Sequence, residues 1–214
     1  YWNFDEGQGA VAYDKSSNNN DGAITGADWT LNGKFGGALD FVSANSDYVT
    51  VTEQTSLRPA YLTLSAWIKP TGTHVFSGRI IEKYWGGDPT YASYIFRWGN
   101  AGTGEDSNKV YFDIGKSGGT KSCPSTTNNF NDKWSYIAGV YDGANLRIYV
   151  NGVLENTCAE TAAIIYTSEA LYIGRYGGVG SYYFNGTIDE VKIYPFALTP
   201  AEIKQEYNRG AAMV

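Results

Sequence analysis

Few side chains in this chain could make or break a bond. The single histidine, His74, stands in Pro70-Thr71-Gly72-Thr73-His74 with no acidic residue close in sequence. That leaves a hydrolase triad or a two-histidine metal centre without its parts, and His74 reads as an exposed loop residue. A retaining glycosidase needs two carboxylates about 5 Å apart. Asp189 and Glu190 are adjacent on an expected strand, so alternation sends them to opposite faces, and Glu105-Asp106 falls in an expected flexible loop. Phosphate-cradling and dinucleotide glycine patterns are missing from the sequence. The expectation is a protein without catalytic activity.

Three other groups could bind. Asp14, Asn18 and Asp21 place hard oxygen ligands in one Asn- and Ser-rich loop, and a chain so poor in Cys and His points to calcium, in a structural role. The loop is no EF-hand, because Asn19 stands where the glycine should be and no helices flank it. The competing reading is that these short side chains cap turns through backbone hydrogen bonds. Aromatic residues gather at Tyr84, Trp85 and Tyr91 with Asp88 between them, and Gly86, Gly87 and Pro89 mark a loop in which Trp85 has no core to enter. Tyr94, Phe96 and Trp98 follow in alternation and read as core. Arg175, Tyr176, Tyr182 and Tyr183 flank the turn Gly177-Gly178-Val179-Gly180.

The elements that must position these groups are strands. Aromatic residues make up 15% of the 214, and 26 glycines supply turns. Leu62, Leu64, Ala66 and Ile68 alternate with Thr63, Ser65 and Trp67, the period of a strand with two distinct faces. Tyr136 to Tyr141 is apolar on both faces, as in a central strand covered on both sides. Asn151-Gly152 between Ile148-Tyr149-Val150 and Val153-Leu154 predicts a two-residue hairpin, and Asp142-Gly143 repeats the turn chemistry, so 134–157 should form a three-stranded meander. Further strands are expected at 1–5, 38–41, 48–51, 79–83, 91–98, 109–114, 171–173 and 184–194, with loops at 14–22, 99–108 and 115–129. One short C-terminal helix is specified by Thr199 at the N-cap, Pro200 at N1, Glu202 at N3 and the staple pair Leu198 and Ile203, and Gly210 can stop it. A single domain over 1–214 is expected, since all-β sandwiches run to this length undivided.

A net charge of −6 and a pI near 4.8 argue against nucleic acid, which needs clustered Lys and Arg. The sequence contains no apolar run of about 20 residues, so membrane insertion is not expected. No signal-peptide pattern opens it, which reads as a mature or excised piece. Cys123 and Cys158 are consistent with one disulfide, and with it export; two free thiols in a cytosolic protein is the alternative. Asn185-Gly186-Thr187 fits the glycosylation sequon, a pattern short enough to arise by chance.

Several segments together carry a resemblance. Trp2-Asn3-Phe4-Asp5-Glu6-Gly7, Gly37-Ala38-Leu39-Asp40-Phe41, Leu64-Ser65-Ala66-Trp67-Ile68-Lys69 and Lys133-Trp134 come in that order. Leu146-Arg147-Ile148-Tyr149-Val150-Asn151-Gly152, Ile173-Gly174-Arg175 and Ile188-Asp189-Glu190-Val191 follow, before the helix. Over almost its full length the chain resembles the laminin-G-like jelly roll family, of the concanavalin A-like lectin and glucanase type. It departs at Val42-Ser43, where the family usually has an acidic residue and a glycine. The resemblance implies an all-β, two-sheet antiparallel jelly-roll sandwich with one short C-terminal helix.

It also implies that the Asp14 loop lies near the chain ends and Asp189, and that an acidic residue just before Trp134, here Asp132, can hold calcium on the rim. The 84–91 loop and the 177–180 turn are implied to lie near the rim of a concave sheet, where they would build one site; the alternative is a pair of unrelated tyrosine-rich loops. Aromatic faces that stack on sugar rings, with a few polar groups to orient them, make a lectin-like pattern. The expectation is a carbohydrate-binding module of a secreted or cell-surface protein, with a glycan or polysaccharide as partner and Tyr84, Trp85, Asp88, Tyr91, Arg175 and Tyr176 as contacts. The alternative is an adhesive or structural module that binds a protein or self-associates.

Overall fold

A computed structural model describes residues 1–72, 78–84, 92–178 and 182–209, with Tyr84 and Ala92 described through their backbone. Two antiparallel sheets face each other. One has the spatial order β1 (Val11–Ala12), β2 (Gly22–Thr25), β5 (Tyr48–Val51), β14 (Leu171–Ile173), β7 (Arg79–Tyr84), β8 (Ala92–Trp98), β9 (Val110–Lys116), β10 (Gly119–Pro124). The other runs β13 (Val153–Ala159), β12 (Asn145–Val150), β11 (Ser135–Tyr141), β6 (Leu62–Pro70), β15 (Gly186–Tyr194), β4 (Ala38–Phe41), β3 (Asp28–Thr30). This is the two-sheet sandwich that the resemblance implies.

Alternation decides which residues meet between the sheets. Leu62, Leu64, Ala66 and Ile68 of β6 enter the inter-sheet core with Ile137 and Tyr141 of β11, facing Tyr94, Phe96, Trp98 and Phe112 of the eight-stranded sheet. The sheets approach so closely at Gly139 that a Cβ there would lie 2.4 Å from the Phe112 ring. The opposite face of β6 and β11 carries Trp67, Tyr136, Ala138 and Val140, which the helix α1 (Pro200–Asn208) covers through Ile203 and Tyr207, with Leu198 just ahead of the helix. The two apolar faces of β11 are thus both buried, one by a sheet and one by a helix. The Thr199 and Glu202 capping box is formed, and Leu198 and Ile203 are buried as a staple requires.

The meander forms as the turns predict, with positive φ at both Asn151 (51°) and Gly152 (76°). Cys123 of β10 and Cys158 of β13 form a disulfide. It ties one sheet to the other at their edges. Two expectations change. Residues 1–5 make no strand; Trp2 alone bridges Val191, by hydrogen bonds of 2.9 Å in each direction. The expected loop 115–129 contains β10, whose half-buried run Thr120-Lys121-Ser122 has no apolar alternation and is held by its ladder to β9.

Candidate functional site

The outer face of the eight-stranded sheet is unlike the rest of the surface. With Tyr94, Phe96 and Trp98 inside, period two turns Ser93, Ile95 and Arg97 outward, and β9 likewise turns Tyr111 and Asp113 out. Strand register lines these up in a row across six strands: Thr50, Tyr172, Glu82, Ile95, Asp113 and Ser122. A second row sets Arg79 opposite Arg97 and Arg97 opposite Tyr111. Two arginines directly opposite repel, so the pairing requires neighbouring carboxylates.

Three carboxylates supply that charge. Arg97 reaches Asp113 through Nε at 2.6 Å and Glu105 through both Nη atoms at 2.6 and 2.8 Å. Glu105 also accepts the Asn100 N–H at 2.8 Å, so the expected flexible loop is clamped to the sheet there. Burial would raise the Glu105 pKa, but the Arg97 fork outweighs it and holds the carboxyl below its usual range. Glu82 lies 3.7 Å from Arg79 and accepts the Gly177 N–H at 2.9 Å. Burial pushes its carboxyl up to about 7, against the pull of Arg79, Gly177 and Arg175.

The segment after β14 folds back over this face. The Phe184 N–H bonds the Gly174 carbonyl at 2.8 Å, the Arg79 N–H bonds the Tyr182 carbonyl at 3.1 Å, and the Arg175 Nε–H bonds the Tyr176 carbonyl at 2.8 Å. Each arginine then lies over tyrosine rings: Arg79 over Tyr176 and Tyr182, Arg97 over Tyr111, Arg175 over Tyr48 and Tyr172, at 4.5 to 5.6 Å from the centroids. Tyr182 is 37% exposed. Glu82, Ile95, Arg97, Tyr111 and Asp113 are buried, while the half-buried Tyr48, Tyr172 and Arg175 with the exposed Tyr182 set aromatic surface beside a charged donor, the chemistry that holds a polyhydroxylated ring.

The expected binding residues fare differently. Arg175 lies on this face, but Tyr176 is only 5% exposed, packed between Arg79 and the Tyr182 edge, so Tyr182 is the ring left to solvent. Trp85, Asp88 and Tyr91 lie outside the described residues, as does the Tyr84 side chain. Tyr48, Tyr172, Arg79, Glu82 and Asp113 were missed. Their outward alternation was legible in Tyr48-Val49-Thr50-Val51, but nothing local showed that β5, β14 and β7 are neighbours.

Of the residues expected to hold calcium, Asp14, Asn18, Asp21 and Asp189 are engaged in hydrogen bonds of the fold. Asp14 Oδ1 accepts from the Tyr1 nitrogen (2.8 Å) and Ser16 N–H (2.9 Å), and Oδ2 from Ser16 Oγ (2.8 Å) and Asn20 N–H (2.9 Å). Burial opposes ionisation there, yet these donors bring its pKa down to about 2. Asp21 accepts the Asp14 N–H and the Asn18 amide donates to Ser16 Oγ, which is turn capping. Asp189 is buried and accepts N–H bonds from Phe35 (3.0 Å) and Glu190 (2.7 Å), and Asp132 stands exposed on a separate turn. Among the described residues no three acidic, His or Cys side chains converge as metal ligands. This donor set does not fit a calcium ion without displacing several hydrogen bonds. Glu190, beside Asp189, is bound to Tyr1 Oη and Lys192. Asn185 of the sequon donates its amide to Thr71 and accepts the Ser43 N–H, which with Asp47 on the Val42 N–H fixes the departing Val42-Ser43 turn.

The two facing antiparallel sheets define a jelly-roll sandwich. Residues 43–204 match the laminin-G model of the concanavalin A-like lectin/glucanases superfamily, and the chain belongs to that family. Among solved structures it is similar to domain 4 of AbnA, an extracellular GH43 arabinanase from Geobacillus stearothermophilus, in complex with arabinotriose. The two share 19% identity and a TM-score of 0.72, over 95% of each chain. It is also similar to the binding domain of Paraclostridial Mosquitocidal Protein 1 (14% identity, TM-score 0.75) and to that of botulinum neurotoxin DC in complex with SialylT (14%, 0.68). The match covers 95% and 96% of this chain, and the chain spans about half the length of those two toxin domains. At such identities the likeness shows the fold alone. No curated protein sequence matches the chain.

Proposed function

We propose that the chain is a non-catalytic, lectin-like carbohydrate-binding module of a secreted or cell-surface protein, and that it binds glycans on the outer face of the eight-stranded sheet. The observation that carries this is the tyrosine and arginine surface of β5, β14 and β7, with Tyr182 open to solvent. Solved neighbours on this fold with arabinotriose and SialylT bound support the class of ligand. The carboxylates of the face support binding over cleavage, because Asp113 and Glu105 are both spent on Arg97 and Glu82 on Arg79 and Gly177. An extracellular setting is supported by the Cys123–Cys158 disulfide.

The test is retention on a panel of insoluble and soluble polysaccharides. The expected result is binding to at least one glycan that Tyr182→Ala weakens about tenfold, the effect of losing one stacked ring. Trp85→Ala, from the loop singled out in the sequence, is the companion variant. Silence on every glycan, together with a defined oligomer or protein complex in solution, would replace this reading with adhesion.

A further inference from the structure

The chain has six arginines, and five of them are neutralised internally. Arg58 pairs with Glu53, Arg79 with Glu82, Arg97 with Glu105 and Asp113, Arg147 with Asp142, and Arg209 with Glu206. Arg175 is the exception: among the described residues no carboxylate lies within 4.0 Å of it. In a protein of net charge −6 an unpaired arginine is not explained by a shortage of acids.

Arg175 is nevertheless held in place. Its Cζ lies 4.5 Å from the Tyr48 ring centroid and 4.9 Å from that of Tyr172, and its Nε–H is bonded to the Tyr176 carbonyl. The two rings themselves meet edge to face at 6.5 Å. Stem and plane are thereby fixed, while both Nη atoms keep their donors free of any described partner. Glu82, the acidic group nearest in influence, is already engaged by Arg79 and the Gly177 N–H. A planar fork held on an aromatic platform matches a carboxylate bidentately, and holding it in advance lowers the entropy lost on binding.

We propose that Arg175 recognises the carboxylate of an acidic sugar, so that the glycan bound on this face carries a uronic acid or a sialic acid unit. The assignment rests on the glycan-binding reading and gives it a substrate class. Both sources share one chemistry, a carboxylate on a pyranose ring beside hydroxyls that the neighbouring tyrosines can cover.

The experiment is calorimetric titration of oligogalacturonate and of sialyllactose, each beside its carboxyl-reduced form, at low and high salt. The intact protein should prefer one acidic ligand over its reduced form about ten- to a hundredfold, the span of one charge-assisted hydrogen-bond pair. That preference should shrink with salt. Arg175→Gln should abolish the preference, and Arg175→Lys, which keeps charge but loses the fork, should retain part of it. Melting curves establish that each variant is folded, and if Arg175→Gln is not, Arg175→Lys decides. Equal affinity for acidic and reduced forms, or a preference untouched by the substitutions, overturns the role of Arg175 and leaves glycan binding standing. Binding to neither acidic ligand nor its reduced form overturns the role of Arg175, and glycan binding itself falls only if the polysaccharide panel is silent as well.

Discussion

Glu82 is the residue whose ionisation most directly touches the proposed face. Burial pushes its carboxyl up to about 7 from an ordinary 4.5, so between those pH values the native state holds a proton that the unfolded chain has released. Stability from this group is therefore full below about pH 4.5 and is lost as pH rises through about 7. Glu82→Gln keeps an oxygen for the Gly177 N–H and removes the charge. Relative to that variant, the native protein should lose about 3 kcal/mol between pH 4.5 and 7, read from urea unfolding at each pH. Parallel curves would show that Glu82 is fully compensated by its arginines. Asp14 gives the opposite case, with a carboxyl stabilised in its charged form by hydrogen bonds. Because those bonds already fill its oxygens, chelator should leave the melting temperature unchanged, whereas Asp14→Ala should lower stability by about 2 kcal/mol. A melting temperature that falls on chelation would restore calcium to this loop.

At the scale of elements, α1 and the disulfide each close a surface that the sheets alone leave open. Ile203 is fully buried against the outer face of β6 and β11, so Ile203→Ala should cost about 3 kcal/mol. Thr199→Ala, which removes the cap, should cost about 1 kcal/mol. Both variants should bind glycan normally, since α1 covers the sheet opposite the proposed face; lost binding in a folded Ile203→Ala protein would relocate the site. Cys123 and Cys158 close a separation of 35 residues and join the edge strands of the two sheets. Loop-closure entropy puts their contribution near 4 kcal/mol, so Cys123→Ala/Cys158→Ala should melt about 10 °C lower, and an unchanged melting curve would show that packing alone holds the edges.

For the whole molecule, the inner architecture was legible in the sequence and the outer face much less so. Period two in Leu62 to Ile68 and the doubly apolar Tyr136 to Tyr141 predicted which faces are buried, and the Asn151-Gly152 turn and Thr199 box are local signals that the fold keeps. The site is different because its residues come from β5, β14, β7, β8 and β9, strands far apart in sequence whose adjacency is set by topology. Arg97 and Glu105 form their fork across a hairpin, and no spacing rule announces it. Tyr176 looked exposed because glycines surround it, yet Arg79, brought up by β7, covers its ring. The Asp14 loop had the composition of a metal site, and only the donors from Tyr1 and Asn20 showed its oxygens to be occupied.

Amide chemical-shift mapping with the glycan that binds most tightly in the polysaccharide panel tests the central claim most directly. Shifts are expected at Tyr48, Tyr172, Arg175, Gly177 and Tyr182, with the amides of α1 and β11 unmoved. Shifts centred instead on the cleft of about 480 Å³ lined by Tyr1, Asn18, Ser56, Lys192 and Arg209 would contradict it.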